Sequence, residues 1–242
     1  MPQPIKKGVI LAAGRGTRMR ELTEEVPKPM VQVRGKPLLA HIIEGLVTAG
    51  INEVLIIVGY RREAIQDHFQ DGSSFGLRIG YVEQVVQDGT GKVLELAKEF
   101  CAADPFVLSY GDILVDSPCY RQLVCLAGAE MALTVRYATD VSKGGAVYLN
   151  EAFEVVDLRE KQSATEAATN WYNAGIYVFR ASIFPFIRNL RRSARGEYEL
   201  TDAVRALVQA GHIIKALEIK GSWADVRDPE VLAELNRGFS CA

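Results

Sequence analysis

Hydrophobic and polar positions follow two rhythms along this chain. Gly8-Val9-Ile10-Leu11-Ala12 and Glu53-Val54-Leu55-Ile56-Ile57-Val58 are short apolar runs rich in β-branched residues, the pattern of strands buried on both faces. Between them, Pro37 to Ala49 carries apolar residues at helical spacing (Leu38, Leu39, Ile42, Ile43, Leu46, Val47) and stops near Gly50, as a helix should. The pattern continues with a short helix over Arg62 to Phe69, a strand over Leu77 to Val82, a helix over Gly91 to Phe100 and a strand over Pro105 to Ser109. Strands alternating with helices imply βαβ units, and so a Rossmann-like three-layer α/β sandwich around a mostly parallel sheet. Beyond about Met131 the chain becomes richer in strands, expected at Met131 to Tyr137, Ala146 to Leu149, Val155 to Glu160 and Gly175 to Phe179. Helices near Ile183 to Leu190 and Thr201 to Ala210, a strand at Ile213 to Ile219 and a helix from Pro229 to about Arg237 complete the reading. No Pro/Gly/Ser-rich linker and no internal repeat divides the chain, so a single domain over residues 1–242 is expected.

Composition narrows the function. With 242 residues and 48% hydrophobic content the chain can bury a proper core, which argues against disorder. Lys and Arg number 28 against 30 Asp and Glu, a net charge of -2, so no global positive field of the kind that holds nucleic acid is present. Any phosphate ligand must be met by a few placed cations. Lys6 and Lys7 precede an apolar run that breaks at Gly14 and Arg15, too soon for a signal peptide, and no window approaches the ~18 apolar residues of a membrane span. The four cysteines show no C-x-x-C spacing, which fits a reducing compartment, so a cytoplasmic protein is expected. Nothing in the sequence sets the oligomeric state.

Ala12-Ala13-Gly14-Arg15-Gly16-Thr17-Arg18-Met19 directly follows the first strand. Glycines there permit positive φ and close backbone approach, so consecutive N–H groups can converge on a phosphate while two arginines add charge. The same residues also suit an ordinary βα turn with solvated arginines. A dinucleotide fingerprint G-x-G-x-x-G fails because Met19 stands at the third glycine. A Walker A loop around Gly91-Lys92 fails because Val86 and Val93 occupy its leading glycine and its Ser/Thr position. Neither a dehydrogenase nor a P-loop NTPase is supported.

The loop continues as Arg20-Glu21-Leu22-Thr23-Glu24-Glu25-Val26-Pro27-Lys28-Pro29-Met30. Together with Leu11 to Met19 this resembles the signature of the sugar-nucleotide pyrophosphorylases, with Glu21 where proline is usual. Further matches run in the same order along nearly the whole chain: Glu83-Gln84 with Gly89-Thr90, Gly111-Asp112, Glu160-Lys161, Asn173 to Phe179, and Trp223-Ala224-Asp225-Val226. Gln162 stands where a proline usually follows the lysine, and the loop from Gln162 to Thr169 is unusual.

The resemblance implies a nucleotidyltransferase of the glycosyltransferase-A-like type, joining an NTP to a sugar 1-phosphate and releasing pyrophosphate. It implies a nucleotide-binding half to about residue 130 and an acceptor-binding half over about 131–242. A phosphate monoester with a second pKa near ~6 is already largely ionised and needs no general base, so the catalytic problem is electrostatic. Arg18 suits the β- and γ-phosphates as a forked donor, with Arg15 assisting. Lys28, stiffened by Pro27 and Pro29, suits the α-phosphate. Asp112 and Asp225 are implied as the pair holding Mg2+, although Asp112 could equally cap a helix and Asp225 sit in an ordinary turn. The backbone of Leu11, Ala12, Ala13 and Gly14, extended by Gly16 and Thr17 around the phosphates, and the Gln84 amide suit the nucleotide, with Gly89 and Thr90 closing over the base. Lys161 suits the acceptor phosphate, while Glu160, Asn173 and Gly145 suit its hydroxyls, with Gly144 an alternative to Gly145.

A pyrimidine nucleotide, UTP or dTTP, with a hexose 1-phosphate is the expected pairing. Guanylyl transfer to a mannose- or heptose-type phosphate and cytidylyl transfer to another phosphorylated acceptor are the alternatives. A non-catalytic subunit that senses nucleotide sugars is the competing class, and retention of Lys28, Asp112 and Asp225 argues against it.

Overall fold

The structure, a computed structural model, describes residues 3–16, 19, 23–24, 26–128, 130–162 and 166–237. In chain order its main elements begin with β1 (Lys7–Ala12), α1 (Leu38–Thr48), β2 (Glu53–Val58), α2 (Arg62–Phe69) and β3 (Arg78–Glu83). They continue with β4 (Phe106–Tyr110), β5 (Ile113–Val115), α3 (Pro118–Ala127), β6 (Met131–Tyr137), β7 (Gly145–Leu149), β8 (Val155–Glu160) and β9 (Trp171–Phe179). Last come α4 (Ile183–Arg188), α5 (Leu200–Gln209), β10 (Ile214–Glu218), β11 (Trp223–Asp225) and α6 (Pro229–Asn236). Two differences from the sequence reading stand out. The expected helix over Gly91 to Phe100 is a 3-10 stretch, Lys92–Ala97, followed by one α-turn, Lys98–Cys101. β5, α3 and β11 were not expected at all.

Two compact units share the chain. Residues 6–87, 109–121 and 221–242 form the first, and residues 1–5, 88–108 and 122–220 the second. The units thus do not follow one division near residue 130, because segment 88–108 groups with the later residues and segment 221–242 with the earlier ones.

In the first unit β1 pairs in parallel with β2, Lys7 to Ala12 against Glu53 to Val58, and β2 pairs in parallel with β3. This is the buried parallel ladder that the unbroken apolar runs predict. α1 buries Leu38, Leu39, Ile42, Ile43 and Leu46, and Gly45 lies so close to the Tyr120 ring that a Cβ there would come within 2.4 Å of it. A second apolar cluster gathers Met19, Val31, Val33, Leu38 and Val226, with Leu114, Leu232 and Leu235 packed against it. α6 opens on Pro229 behind the side chain of Asp228, which accepts from the Val231 N–H at 3.0 Å.

The second unit is mainly antiparallel. β8 pairs with β7, β7 with β9 and β9 with β6, all antiparallel, while β10 joins β6 in parallel. β9 begins at Trp171, four residues before the expected start, and its register shifts between Asn173 and Tyr177, where Gly175 takes a φ of +83°. This bulge gives Asn173-Ala174-Gly175 the local look of a turn inside a continuous strand. Phe106, Phe179 and Phe184 stack into the core of this unit.

Candidate functional site

In the first unit, three distant stretches of sequence converge on one ammonium group. Lys28 opens a single 3-10 turn, Lys28–Met30, behind Pro27, whose extended backbone fixes the entry. Its Nζ donates to Asp112 Oδ2 at 2.5 Å and stands 4.0 Å from Asp225 Oδ1. Only 12% of the lysine side chain is exposed, against 34% for Asp112 and 19% for Asp225, so the pair charges are partly shielded from water.

Backbone explains the convergence. β11 runs antiparallel to β5 with Asp225 opposite Ile113, and the Val226 N–H donates to the Asp112 carbonyl at 2.9 Å. Two aspartates far apart in sequence therefore become neighbours through one short ladder. Gly111 places Asp112 beside β1: its N–H donates to the Leu11 carbonyl at 2.9 Å, and a Cβ would come within 2.7 Å of that oxygen. Gly16 serves the other side. It has a φ of +67°, and a Cβ there would lie 2.8 Å from Lys28 Cβ, so the glycine-rich loop rests directly on the lysine stem. Met19 and Val226, next in sequence to the loop and to Asp225, are buried in the same apolar cluster. The three segments thus share one floor.

Two carboxylates face one ammonium, with the Arg227 guanidinium 3.6 Å from Asp225 as a further cation. Asp225 belongs to the same compact unit as Asp112. Among the described residues no third acidic, histidine or cysteine side chain joins this pair. All-oxygen donors within one ammonium's reach fit a hard divalent cation whose other ligands would be phosphate oxygens and water.

Around the loop, Leu11 and Ala12 end β1 opposite Ile57 and Val58. The Ala13 carbonyl accepts from the Tyr60 N–H at 3.3 Å and from Gln87 Nε2 at 3.0 Å, while a Cβ on Gly14 would meet nothing within 4 Å. Arg15 is exposed, with its guanidinium carbon 5.2 Å from the centre of the Tyr60 ring. The Gln84 amide nitrogen donates to the Val86 carbonyl at 3.0 Å, and Val85 and Val86 beside it are exposed. Arg18 and Thr17 lie outside the described residues.

The second unit holds the remaining candidates. Gly89 has a φ of +115°, and a Cβ there would lie 2.4 Å from the Tyr198 carbonyl oxygen. Thr90 Oγ1 accepts from the Leu200 N–H at 3.3 Å, at the first turn of α5, so both residues clamp the start of that helix. Gly145 pairs with Glu160 across β7 and β8. Burial first, and then the Glu199 carboxylate, push the Glu160 carboxyl above its ordinary range, opposed by Lys161, Arg195 and the Thr201 hydroxyl.

Asn173 is buried, its Nδ2 donating to the Tyr177 hydroxyl at 2.5 Å and its Oδ1 accepting from the Gly175 N–H at 3.3 Å. Lys161 is exposed and left-handed at a φ of +46°, and its N–H donates to the Gly144 carbonyl at 2.7 Å. Both neighbouring glycines are tightly placed, Gly144 against the Tyr172 hydroxyl and Gly145 against Asn173 Cβ at 3.0 Å. Gln162 uses its side chain to accept from the Tyr148 hydroxyl at 2.7 Å.

Glu199 and Arg195 had escaped the sequence reading. Glu199 is buried and its carboxylate accepts from Arg195 at 3.0 Å and from Ser193 at 3.1 Å. The run Ser193-Ala194-Arg195-Gly196-Glu197 reads as a solvated loop and is largely exposed in the fold, whereas Glu199 beyond it is buried.

A βα loop of glycines and arginines, a half-buried lysine and two carboxylates beside a parallel ladder make up the candidate site of an α/β protein. The chain belongs to the nucleotidyl transferase family, whose model matches residues 7–240. It is 36% identical over 231 residues to the bifunctional protein GlmU of Methanococcus maripaludis, covering 96% of this chain and 54% of that protein. It is 34% identical over 228 residues to the UTP--glucose-1-phosphate uridylyltransferase AglF of Haloferax volcanii, covering 93% and 92%. The chain thus spans about half the length of GlmU and nearly all of AglF. Its fold is that of a crystal structure of UDP-glucose pyrophosphorylase complexed with UDP-glucose, at a TM-score of 0.88 and 24% identity over 97% of this chain and 98% of the other. Among the described residues no helix is long and apolar enough to cross a membrane.

Proposed function

We propose that the chain transfers the nucleotidyl group of a pyrimidine NTP to a hexose 1-phosphate. The observation that carries this reading is the Lys28 ammonium set between Asp112 and Asp225. The first unit is read as the nucleotide-handling part and the second as the acceptor-handling part. A phosphate oxygen of the acceptor attacks the α-phosphorus, the bond from that phosphorus to the α–β bridging oxygen breaks, and pyrophosphate leaves with the electron pair. The acceptor is already ionised at neutral pH, so no side chain has to remove a proton.

Lys28 is then suited to the α-phosphate, where charge grows most as the bridging oxygen departs, and Arg15 to the outer phosphates, a role the sequence also suggests for Arg18. Asp112 and Asp225 are suited to hold Mg2+, which when bound supplies the positive charge that offsets the triphosphate. Holding two anions in line is the larger part of the task, and the glycine-rich backbone is read as the part that holds the triphosphate. Lys161 and Glu160 are read as contacts for the acceptor's phosphate and hydroxyls. The uridylyltransferase name carried by AglF supports UTP with glucose 1-phosphate as the first pair to test.

Pyrophosphate release should be followed for UTP, dTTP, CTP and GTP against a panel of sugar 1-phosphates. Release that needs both substrates, with UTP or dTTP preferred, is the expected result. Tight nucleotide-sugar binding without turnover across the panel would point to a sensor instead.

A further inference from the structure

We infer that Tyr60 is the positioning residue of the triphosphate corner, holding the Arg15 guanidinium and the segment that leads to Lys28 in place; this rests on the nucleotidyl-transfer reading above. Tyr60 is half-buried just past the end of β2 and has no part in the chemistry described so far. Five contacts meet on it. Its N–H donates to the Ala13 carbonyl at 3.3 Å, its hydroxyl donates to the Glu24 carbonyl at 2.6 Å and accepts from Arg61 Nε at 3.3 Å, and its ring lies 5.2 Å from the Arg15 guanidinium carbon and 5.8 Å from that of Arg61.

The residue before it makes this approach possible. A Cβ on Gly59 would come within 2.8 Å of the Ala13 carbonyl oxygen, so only glycine lets the chain pass this close to the loop. The strand end therefore touches the loop at Ala13 and Arg15, and touches the Lys28 segment at Glu24. Arg61 Nε also donates to the Glu24 carbonyl, at 3.1 Å, and Thr23 Oγ1 donates to the Gly16 carbonyl at 3.0 Å. Loop and lysine segment are thus strapped together at two points.

Each half of the tyrosine does separate work. An exposed arginine side chain samples many rotamers, and its guanidinium over an aromatic face loses part of that freedom before the ligand arrives. The ring therefore lowers the ordering cost of bringing Arg15 to a phosphate. The hydroxyl acts on the backbone four residues ahead of Lys28, but it shares its acceptor with Arg61, so its loss is partly covered.

Two substitutions separate the halves. Tyr60→Phe keeps the ring and removes the hydroxyl, while Tyr60→Leu removes both. Calorimetric Kd for UTP and steady-state kinetics should be measured for each, in the wild-type background and with Arg15→Met. Tyr60→Leu should raise the UTP Kd about fivefold, the weight of one exposed cation–π contact. Tyr60→Phe should change it by less than about twofold. With Arg15→Met in place, Tyr60→Leu should change the Kd by less than about twofold as well, because its route of action is already gone.

A folded Tyr60→Leu protein with wild-type Kd, or equal losses with and without Arg15, would overturn the inference. If Tyr60→Leu does not fold, Tyr60→His keeps a ring of smaller face and should give an intermediate Kd; a wild-type value there would overturn the inference equally. A wild-type chain that binds UTP but shows no turnover removes the transfer reaction and leaves Tyr60 to be judged by Kd alone. One that binds no triphosphate at all overturns both.

Discussion

The two units solve opposite electrostatic problems. At Lys28 three charged side chains from three segments meet in partial contact with water, brought together by one short ladder and a shared apolar cluster. At Glu160 a carboxylate is withdrawn from water near a second, buried carboxylate, Glu199, which accepts from Arg195. The first arrangement leaves charge available to a ligand. In the second, burial disfavours the charged form of the carboxyl in the free protein. Loss of charge should therefore cost rate in the first unit, while loss of charge in the second should cost affinity and improve stability.

The largest effect is expected at the ammonium. Lys28→Ala should lower kcat by at least ~10²-fold with a smaller change in nucleotide affinity, since a cation at the α-phosphate contributes most as charge develops there. Asp112→Asn and Asp225→Asn should each weaken turnover strongly while the protein stays folded, and EDTA should abolish it until Mg2+ is restored. Because both aspartates share one partner, the double variant should be little worse than the worse single one. Fully multiplicative losses in pyrophosphate release would mean that one of them is only structural.

Glu160 supplies the opposite test. Its folded carboxyl sits above the ordinary range, so the unfolded chain gives up this proton at lower pH than the folded one. The stability associated with the protonated form is present at low pH and is lost as pH rises from the ordinary glutamate range through the raised folded value. Glu160→Gln should remove that loss, raising the melting temperature near neutral pH and flattening its pH dependence, while the acceptor KM rises. A variant that is less stable than wild type at neutral pH would show that the charge is already compensated. Lys161→Ala should raise the acceptor KM as well, but without the stability gain.

Legibility in the sequence differs from element to element for a physical reason. The loop, Lys28 and the parallel strands are local patterns: a β-branched run, glycines, a proline on each side of a lysine. β5 and β11 are three residues each and carry no period, so the ladder that brings Asp225 to Asp112 could be reached only through the resemblance to known enzymes. α3 left a readable signal that was passed over. Ser117 before Pro118 marks a helix start, and Cys119, Tyr120, Leu123 and Ala127 are its buried face. Glu199 left none, because a glutamate beside an exposed charged loop reads as solvent-facing until the fold buries it.

Glycines separate stability from chemistry. Gly89→Ala meets both a φ of +115° and a carbonyl oxygen 2.4 Å from the new Cβ. It should cost about 1–3 kcal/mol in denaturant unfolding. Gly111→Ala meets a carbonyl oxygen at 2.7 Å without a left-handed φ, and should cost less stability but more rate, because the displaced backbone carries Asp112. Unfolding midpoints and kcat measured on the same samples would reveal any reversal of that order.

The smallest effect is expected at Gln84, and it bears on whether the first unit also reads the base. In the free protein the Gln84 amide nitrogen already donates to the Val86 carbonyl at 3.0 Å, so contact with a pyrimidine exchanges one hydrogen bond for another. The net value of such an exchange is about 0.5–1.5 kcal/mol, which corresponds to roughly 2–13-fold in affinity. Gln84→Ala should accordingly raise the KM for UTP or dTTP by no more than about tenfold, leave kcat nearly unchanged, and narrow the preference over CTP and GTP. Stability should hardly move, because Val85 and Val86 are exposed and the strand pairing through the Gln84 N–H, which donates to the Val58 carbonyl at 2.8 Å, survives the substitution. An unaltered preference among the four triphosphates would place base recognition elsewhere, on the backbone of Leu11 to Gly14. A loss of ~10²-fold in kcat would mean that the residue reaches the reacting phosphates, and the distinction between binding and rate within the first unit would have to be redrawn.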